Sequence, residues 1–283
     1  MKQFYQNIVL FGAALLLAAL PQAASAQALS VHMKNANAAI AKGDYAQAGR
    51  HFEAECDAGG PMGCYNLGIF EQQGIARPKN SARSVMYNER ACKLAYVSGC
   101  ANLGSLLMAG DGAPKDLPRA RKLLDQSCNK KFAPACFNLA LVHEGIFGGK
   151  PDLKSSRKSL ATSCNLGAGE GCYKIGVDTE KSAKDEKGWR IAIDAFQSAC
   201  DKQIGAACNA LGVMVGTGKG FVKDGKIMQR FFEQACGRQS ATGCYNLSNM
   251  LNEGVLIPAD KTAAEKAKQK GVAIDAQAGS SPR

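Results

Sequence analysis

An aliphatic residue followed by a small one returns at a constant interval along most of the chain: Leu67-Gly68, Leu103-Gly104, Leu139-Ala140, Ile175-Gly176, Leu211-Gly212 and Leu247-Ser248. The interval is 36 residues, and no insertion breaks it. A fixed period of this size marks a solenoid, in which each unit buries its apolar face only against its neighbours. Within the unit a glycine ends a first helix at Gly74, Gly110, Gly218 and Gly254, where a left-handed cap is wanted. A second helix opens after Asn80, Asp116, Asp152, Asp224 or Asp260, whose side chains accept from the free amides of the first turn. Small residues inside it, at Ser84, Ala120, Ser156, Ala192 and Ala264, allow close packing. The predicted fold class is all-α: an α/α superhelical solenoid of antiparallel helix pairs.

The unit from Gly169 to Ile204 departs from the pattern, because Ser182 and Gly188 stand where the glycine and the aspartate cap are expected. An irregular loop is predicted there, with the second helix beginning at Trp189. At the start, "AIAKGDYAQAGRHFEAEC" holds a tight Gly43-Asp44 turn and reads as a tetratricopeptide-like capping helix pair over residues 27–60. Six units follow over 61–276, starting near 61, 97, 133, 169, 205 and 241, with a disordered tail at 277–283. Val272 occupies the position 36 after Cys236.

Composition changes the picture at the N-terminus. Lys2 precedes an apolar run from Ile8 to Leu20, a Pro-Gln break and Ala24-Ser25-Ala26, the plan of a secretory signal peptide over 1–26, cut after Ala26. The run is too short to span a membrane, which takes about 20 residues, and no comparable run follows. With no cysteine before Cys56 to carry a lipid anchor, a free periplasmic or secreted protein is predicted. Few large aromatic residues (7%) argue for closely packed small helices.

The twelve cysteines form six pairs spaced by eight: residues 56 and 64, 92 and 100, 128 and 136, 164 and 172, 200 and 208, 236 and 244. An even set in an oxidising compartment reads as a disulfide framework. Each close pair flanks the turn between one unit's second helix and the next unit's first, so bridging is sterically easy. A pairing across the hairpin, such as Cys64 to Cys92, is also open. No C-x-x-C is present for redox catalysis, and no C-x-x-C-H for haem. The three histidines, His32, His51 and His143, are out of register, and no metal or other cofactor is expected.

"GCYNLG" and "ERACKLAYVSGCANLGSLLMAGDGAPKDLPRA", with their copies, resemble Sel-1-like repeats, and among these the cysteine-rich subgroup typified by the Helicobacter cysteine-rich proteins. The resemblance covers roughly residues 45 to 270 and implies the pairs Cys56-Cys64, Cys92-Cys100, Cys128-Cys136, Cys164-Cys172, Cys200-Cys208 and Cys236-Cys244. It also carries a hydrolase alternative of the β-lactamase or penicillin-binding class, which needs an activated serine. S-x-x-K occurs at Ser127-Lys130 and Ser155-Lys158, at a frequency chance supplies, and "KTA" at 261–263 only approximates K-T-G. A second alternative, a redox or assembly factor, would require an unpaired or reducible thiol.

No catalytic residue is assigned. The expected function is binding of a protein or peptide partner along the concave surface that helix-pair solenoids present. The residues after each second cysteine are the candidates: Tyr65, Asn66, Asn102, Phe137, Asn138, Tyr173, Tyr245 and Asn246. Their amides would pair with a peptide backbone and their rings with its side chains. The alternative is that the asparagines join neighbouring helices and the rings fill gaps between units. The formal charge of +11, with Lys79, Lys115, Lys187 and Lys223 before the second helices and Arg119, Arg121, Lys122, Lys154, Arg157 and Lys158 on them, reads either as a solvated face or as a ridge for an acidic envelope surface. No nucleic-acid motif is present.

Overall fold

The computed structural model describes residues 31–280, and the predicted signal peptide with its cleavage site lies outside them. Among the described residues every regular element is an α-helix. A first compact unit, ending at Lys130, holds α1 (31–41), α2 (Tyr45–Asp57), α3 (Pro61–Gln73), α4 (Ser81–Lys93), α5 (Val97–Ala109) and α6 (Leu117–Asn129). A second, from Lys131, holds α7 (Ala133–His143), α8 (Leu153–Asn165), α9 (Gly169–Ser182), α10 (Glu186–Asp201), α11 (Gly205–Thr217), α12 (Gly225–Gly237), α13 (Ala241–Glu253) and α14 (Lys261–Ser280). Consecutive helices within each unit pack on one another as a solenoid of helix pairs.

The punctuation in the sequence has direct structural causes. Gly74, Gly110, Gly218 and Gly254 are left-handed, with φ of 70°, 75°, 75° and 69°. Asn80, Asp116, Asp152 and Asp224 each accept from the backbone N–H three residues on, at 2.9–3.0 Å. Asp260 caps α14 in the same way through Ala263.

Small residues set the distance between helices. A Cβ on Gly99 would lie 2.6 Å from Ala91 Cβ, and one on Gly243 would lie 2.4 Å from Ala235 Cβ, both too close for any side chain to replace these glycines without movement. The glycine of each aliphatic-small pair receives a second-helix side chain: Asn88 over Gly68, Leu124 over Gly104, Phe196 over Gly176 and Phe232 over Gly212. These residues are buried and fall at multiples of 36 from one another, with buried Leu160 at the intervening position, so the period seen in the first helix has its partner in the second.

The disulfides close the turns between pairs. Cys56–Cys64, Cys92–Cys100, Cys164–Cys172, Cys200–Cys208 and Cys236–Cys244 have Cα separations of 4.4–4.9 Å. Cys128 and Cys136 are each disulfide-bonded too, and no described cysteine is free. Inside every stapled turn one residue is left-handed: Gly59, Ala95, Lys131, Gly167, Gln203 and Gln239. The next amide closes back on the carbonyl beside the first cysteine, as in Tyr96 N to Ala91 O at 3.0 Å and Ile204 N to Ala199 O at 3.1 Å. This is the Schellman closure that glycine favours, here made around the non-glycine residues Ala95, Gln203 and Gln239.

Two expectations are corrected. The fourth unit has no long irregular loop: α9 runs on to Ser182, only 183–185 connect it to α10, and Asp185 caps α10 by accepting from Gly188 N at 2.8 Å. The second helix therefore starts at Glu186 rather than Trp189, because a cap three residues earlier does the work of the missing register aspartate. At the other end α14 continues through Gln277 to Ser280.

The N-terminal pair carries an exception in its core. Glu55 stands where the other units have Ala91, Ser127, Ser163, Ala199 and Ala235, yet it is only 4% exposed. Gly60 makes room, since a Cβ there would fall on the Glu55 carboxylate. Burial holds the Glu55 carboxyl above its usual range, and His32 partly opposes this.

Two predictions follow from these geometries. Removing the Cβ penalty by Ala95→Gly, Gln203→Gly or Gln239→Gly is expected to raise the free energy of unfolding by about 1 kcal/mol each in chemical denaturation. For Glu55, a raised folded pKa means that its stabilising contribution is complete below the usual value of 4.5 and is lost as pH rises through the folded value. Glu55→Gln should therefore unfold at a higher temperature than the parent at neutral pH, with the difference closing in acid.

Candidate functional site

Outside α9, the first helices are nearly devoid of charge: α5 and α11 have no charged residue, α3 only Glu71, and α13 only Glu253, whereas α9 carries Glu170, Lys174, Asp178, Glu180 and Lys181. In α3 the charge is withdrawn, because Glu71 is buried against Arg83 Nε at 3.1 Å and Arg77 Nε at 3.5 Å. What these helices present is carboxamides, rings and aliphatic side chains.

The predicted residues are half-buried, and several are engaged with neighbouring side chains. In the first unit Tyr65 meets Tyr96 at a ring separation of 5.2 Å. Burial and Tyr96 push the Tyr65 phenol up, against a hydrogen bond with Asn102. Tyr65 and Asn102 thus come together from α3 and α5, with Asn66 half-buried beside them on α3. In the second unit Tyr173 packs on Phe196 at 5.9 Å, Asn246 Nδ2 donates to Asn209 Oδ1 at 2.8 Å, and the Tyr245 hydroxyl donates to Asp275 at 2.7 Å. Phe137 and Asn138 are half-buried on α7. Asn246 to Asn209 joins the first helices of adjacent pairs, while the outward neighbour Asn249 is exposed. Of the two roles weighed from the sequence, the joining of neighbouring helices is seen at Asn246.

A groove opens where α11 and α13 run side by side. It encloses about 320 Å³ and is lined by Val213, Gly216 and Thr217 of α11, by Met228 and Phe232 of α12, and by Asn246, Asn249, Met250 and Glu253 of α13, with Val255 beyond. A second, polar cavity of about 250 Å³ lies between α13 and α14, among Tyr245, Asn249, Asn252, Lys261, Glu265 and Lys268. Neither was visible in the sequence, because each depends on which side chains stop short of filling the gap between helices.

Lys174 occupies the register position of Asn66, Asn102 and Asn138. Its ammonium lies 3.1 Å from Glu144 and 2.7 Å from Asp178. Burial alone would lower its pKa, but the hydrogen bonds to Asp178 and Glu144 hold it above the ordinary value. The fourth unit thus replaces a neutral amide with a closed ion cluster.

The remaining chemistry is placed as follows. Ser127 is buried and donates to Val97 O, and the Ser155 hydroxyl donates to Asp152 at 2.6 Å, so neither S-x-x-K serine is held by a lysine. His32 and His51, out of register in sequence, meet at a ring separation of 6.1 Å through α1 and α2. Among the described residues no three His, Cys, Asp or Glu side chains converge to hold a metal ion. Of the predicted ridge, Lys79 pairs with Asp111 and Arg119 with Glu89.

The Sel1 repeat family matches residues 61–96, 97–132, 133–158, 205–236 and 241–266. The chain belongs to the Sel1 repeat family. The unit left unmatched is the fourth, where the cap and glycine have moved. A Sel1 repeat protein from Oxalobacter formigenes is similar over 85% of this chain and 99% of its own, with 17% identity and a TM-score of 0.74. An immunity protein from Pseudomonas aeruginosa is similar over 76% of this chain and 82% of its own, with 12% identity and a TM-score of 0.54. These likenesses show the Sel1 repeat fold. No curated protein matches the chain significantly.

The Asn246–Asn209 bond provides a test of structural against recognition roles. Asn246→Ala and Asn209→Ala are each expected to cost about 1 kcal/mol of stability, and the double variant little more than either, in a double-mutant cycle read by denaturation. Asn249→Ala, on an exposed side chain, should leave stability unchanged.

Proposed function

We propose that this Sel1 repeat protein is an exported, disulfide-stapled scaffold that binds an extended segment of a protein partner on the face of its first helices. The observation that carries this reading is the open groove between α11 and α13. Its floor is apolar, its rim bears the carboxamides of Asn246 and Asn249, and its two walls carry Glu253 as their single charged residue. Apolar lining with a few placed polar groups is what a recognition site needs: the apolar surface supplies affinity and the amides fix backbone direction. Tyr65, Asn66 and Asn102 in the first unit, and Phe137, Asn138, Tyr173 and Tyr245 in the second, extend the same surface chemistry. Staples at every turn lower the ordering cost of binding.

Export is supported by six cysteine pairs at bonding distance, which fit an oxidising, extracytoplasmic environment. No helix among the described residues is long and apolar enough to cross a membrane.

A photo-crosslinking residue placed at Val213 or Asn249 is expected to capture a defined partner from envelope extracts, and one at Arg230, exposed on α12, is not. Val213→Glu should reduce capture from the Asn249 site at least tenfold by placing an unpaired charge in the apolar floor. Equal capture from all three positions, or capture indifferent to Val213→Glu, would remove the groove from the proposal.

A further inference from the structure

The second helices carry much of the charge, and in the second unit all of them but α8 include acidic residues. In the second unit α10 has Glu186, Asp194 and Asp201, α12 has Glu233, and α14 has Glu265 and Asp275. Helix α8 has no acidic residue at all. Lys154, Arg157 and Lys158 are exposed on it, and exposed Lys150 precedes it. None of these four cations has an acidic partner, whereas Lys174, Arg190 and Lys219 in the same unit are paired. The nearby carboxylates are engaged elsewhere: Asp152 is committed to capping, accepting from both the N–H and the hydroxyl of Ser155, and Glu144 accepts from the Ser156 hydroxyl and pairs with Lys174.

The same face exposes aliphatic surface. Leu153 is 57% exposed in the first turn of α8, and Ile146 is 59% exposed in the loop just before it. That loop is short and closed, with Asp152 N donating to His143 O at 2.7 Å and Gly148 N to Gly145 O at 2.9 Å, so it holds Ile146 and Lys150 beside the start of the helix. Along α8, Leu153, Arg157 and Ala161 fall on one line and Lys154 and Lys158 on the next, one continuous exposed stripe at helical spacing.

We propose that this stripe is a docking surface for an anionic lipid bilayer: Lys150, Lys154, Arg157 and Lys158 meet the headgroup phosphates while Ile146 and Leu153 enter the boundary with the acyl chains. Unpaired cations around exposed aliphatic residues complement a surface that is negative outside and apolar just beneath. A hydrophilic acidic protein or polymer would satisfy the cations and leave the aliphatic residues uncovered. The surface shares no residue with the groove between α11 and α13, so a membrane-held protein would keep that groove available, and neither proposal stands on the other.

The test is flotation of the mature oxidised protein with vesicles of phosphatidylcholine alone and with added phosphatidylglycerol. Binding is expected only with phosphatidylglycerol and should weaken as salt is raised. The variant Lys154→Gln/Arg157→Gln/Lys158→Gln should lose on the order of a hundredfold in affinity, from roughly 1 kcal/mol per cation at such a surface. Lys266→Gln/Lys268→Gln/Lys270→Gln, with the same loss of charge on α14, should bind like the parent. Ile146→Ser/Leu153→Ser should bind several-fold more weakly with its salt dependence kept. The proposal is overturned if the parent does not float with phosphatidylglycerol, or if the α14 variant loses as much as the α8 variant, since net charge alone would then account for binding. Indifference to Ile146→Ser/Leu153→Ser would overturn it as well and point to an acidic polymer or protein instead.

Discussion

The close approach of helices at each stapled turn is the constraint on which the rest of the structure depends. A small residue before the second cysteine lies against a small residue beside the first, near enough that a Cβ on Gly99, Gly171 or Gly243 would overlap Ala91, Ser163 or Ala235. The disulfide spans the gap this contact leaves, and a left-handed residue turns the chain between its ends. A loop this short removes limited unfolded-chain entropy, so each bridge contributes on the order of 2 kcal/mol. Repeated along an array with no central core, such local closures replace what a globular domain obtains from burial. They also explain why the period admits no insertion: an added residue would separate the cysteines and lift the small residues apart.

Once spacing is set by small residues, side-chain chemistry is free to divide between helices. First helices spend their inward positions on Leu67, Leu103, Leu139, Leu211 and Leu247 and receive a second-helix side chain over the next residue. Outside α9, their outward positions carry amides and rings with hardly a charge. Second helices, backed by the same contacts, carry the lysines and arginines. Some of these cations are paired locally, as Arg119 is with Glu89 and Arg190 with Glu186, and on α8 none is. The result is an uncharged surface and a cationic one, each maintained by the same repeated packing.

The repeat, its cap residues and its helix-ending glycines were legible in the chain because each follows from local backbone chemistry. Asn80, Asp116, Asp152, Asp224 and Asp260 cap whatever helix follows them, and Gly74, Gly110, Gly218 and Gly254 adopt φ values that cost other residues energy. In the fourth unit a local signal outranks register: Asp185, three residues before Gly188, is itself a good cap. The left-handed turn residues were not legible, since Ala95, Lys131, Gln203 and Gln239 carry no propensity for that conformation and adopt it only because the flanking helices and the staple demand it. The pairing of Glu55 with Gly60 likewise makes sense only once a carboxylate is seen occupying the space an absent Cβ leaves.

Of the candidate surface, the sequence singled out residues by register but not by role. Asn246 and Tyr173 had the same signature as Asn66 and Tyr65. Contacts with Asn209, Phe196 and Tyr96 tie Asn246, Tyr173 and Tyr65 into the packing while leaving them half-buried, and Asn249, outside the repeated motif, is exposed at the groove. The sequence by itself determined the period, the helix pairs, their ends and the cysteine framework, because these rest on interactions within a few residues. Only the tertiary structure decided which side chains are consumed in holding helices together and where a gap between them stays open, because that depends on volumes and partners brought in from residues 30 or more positions away.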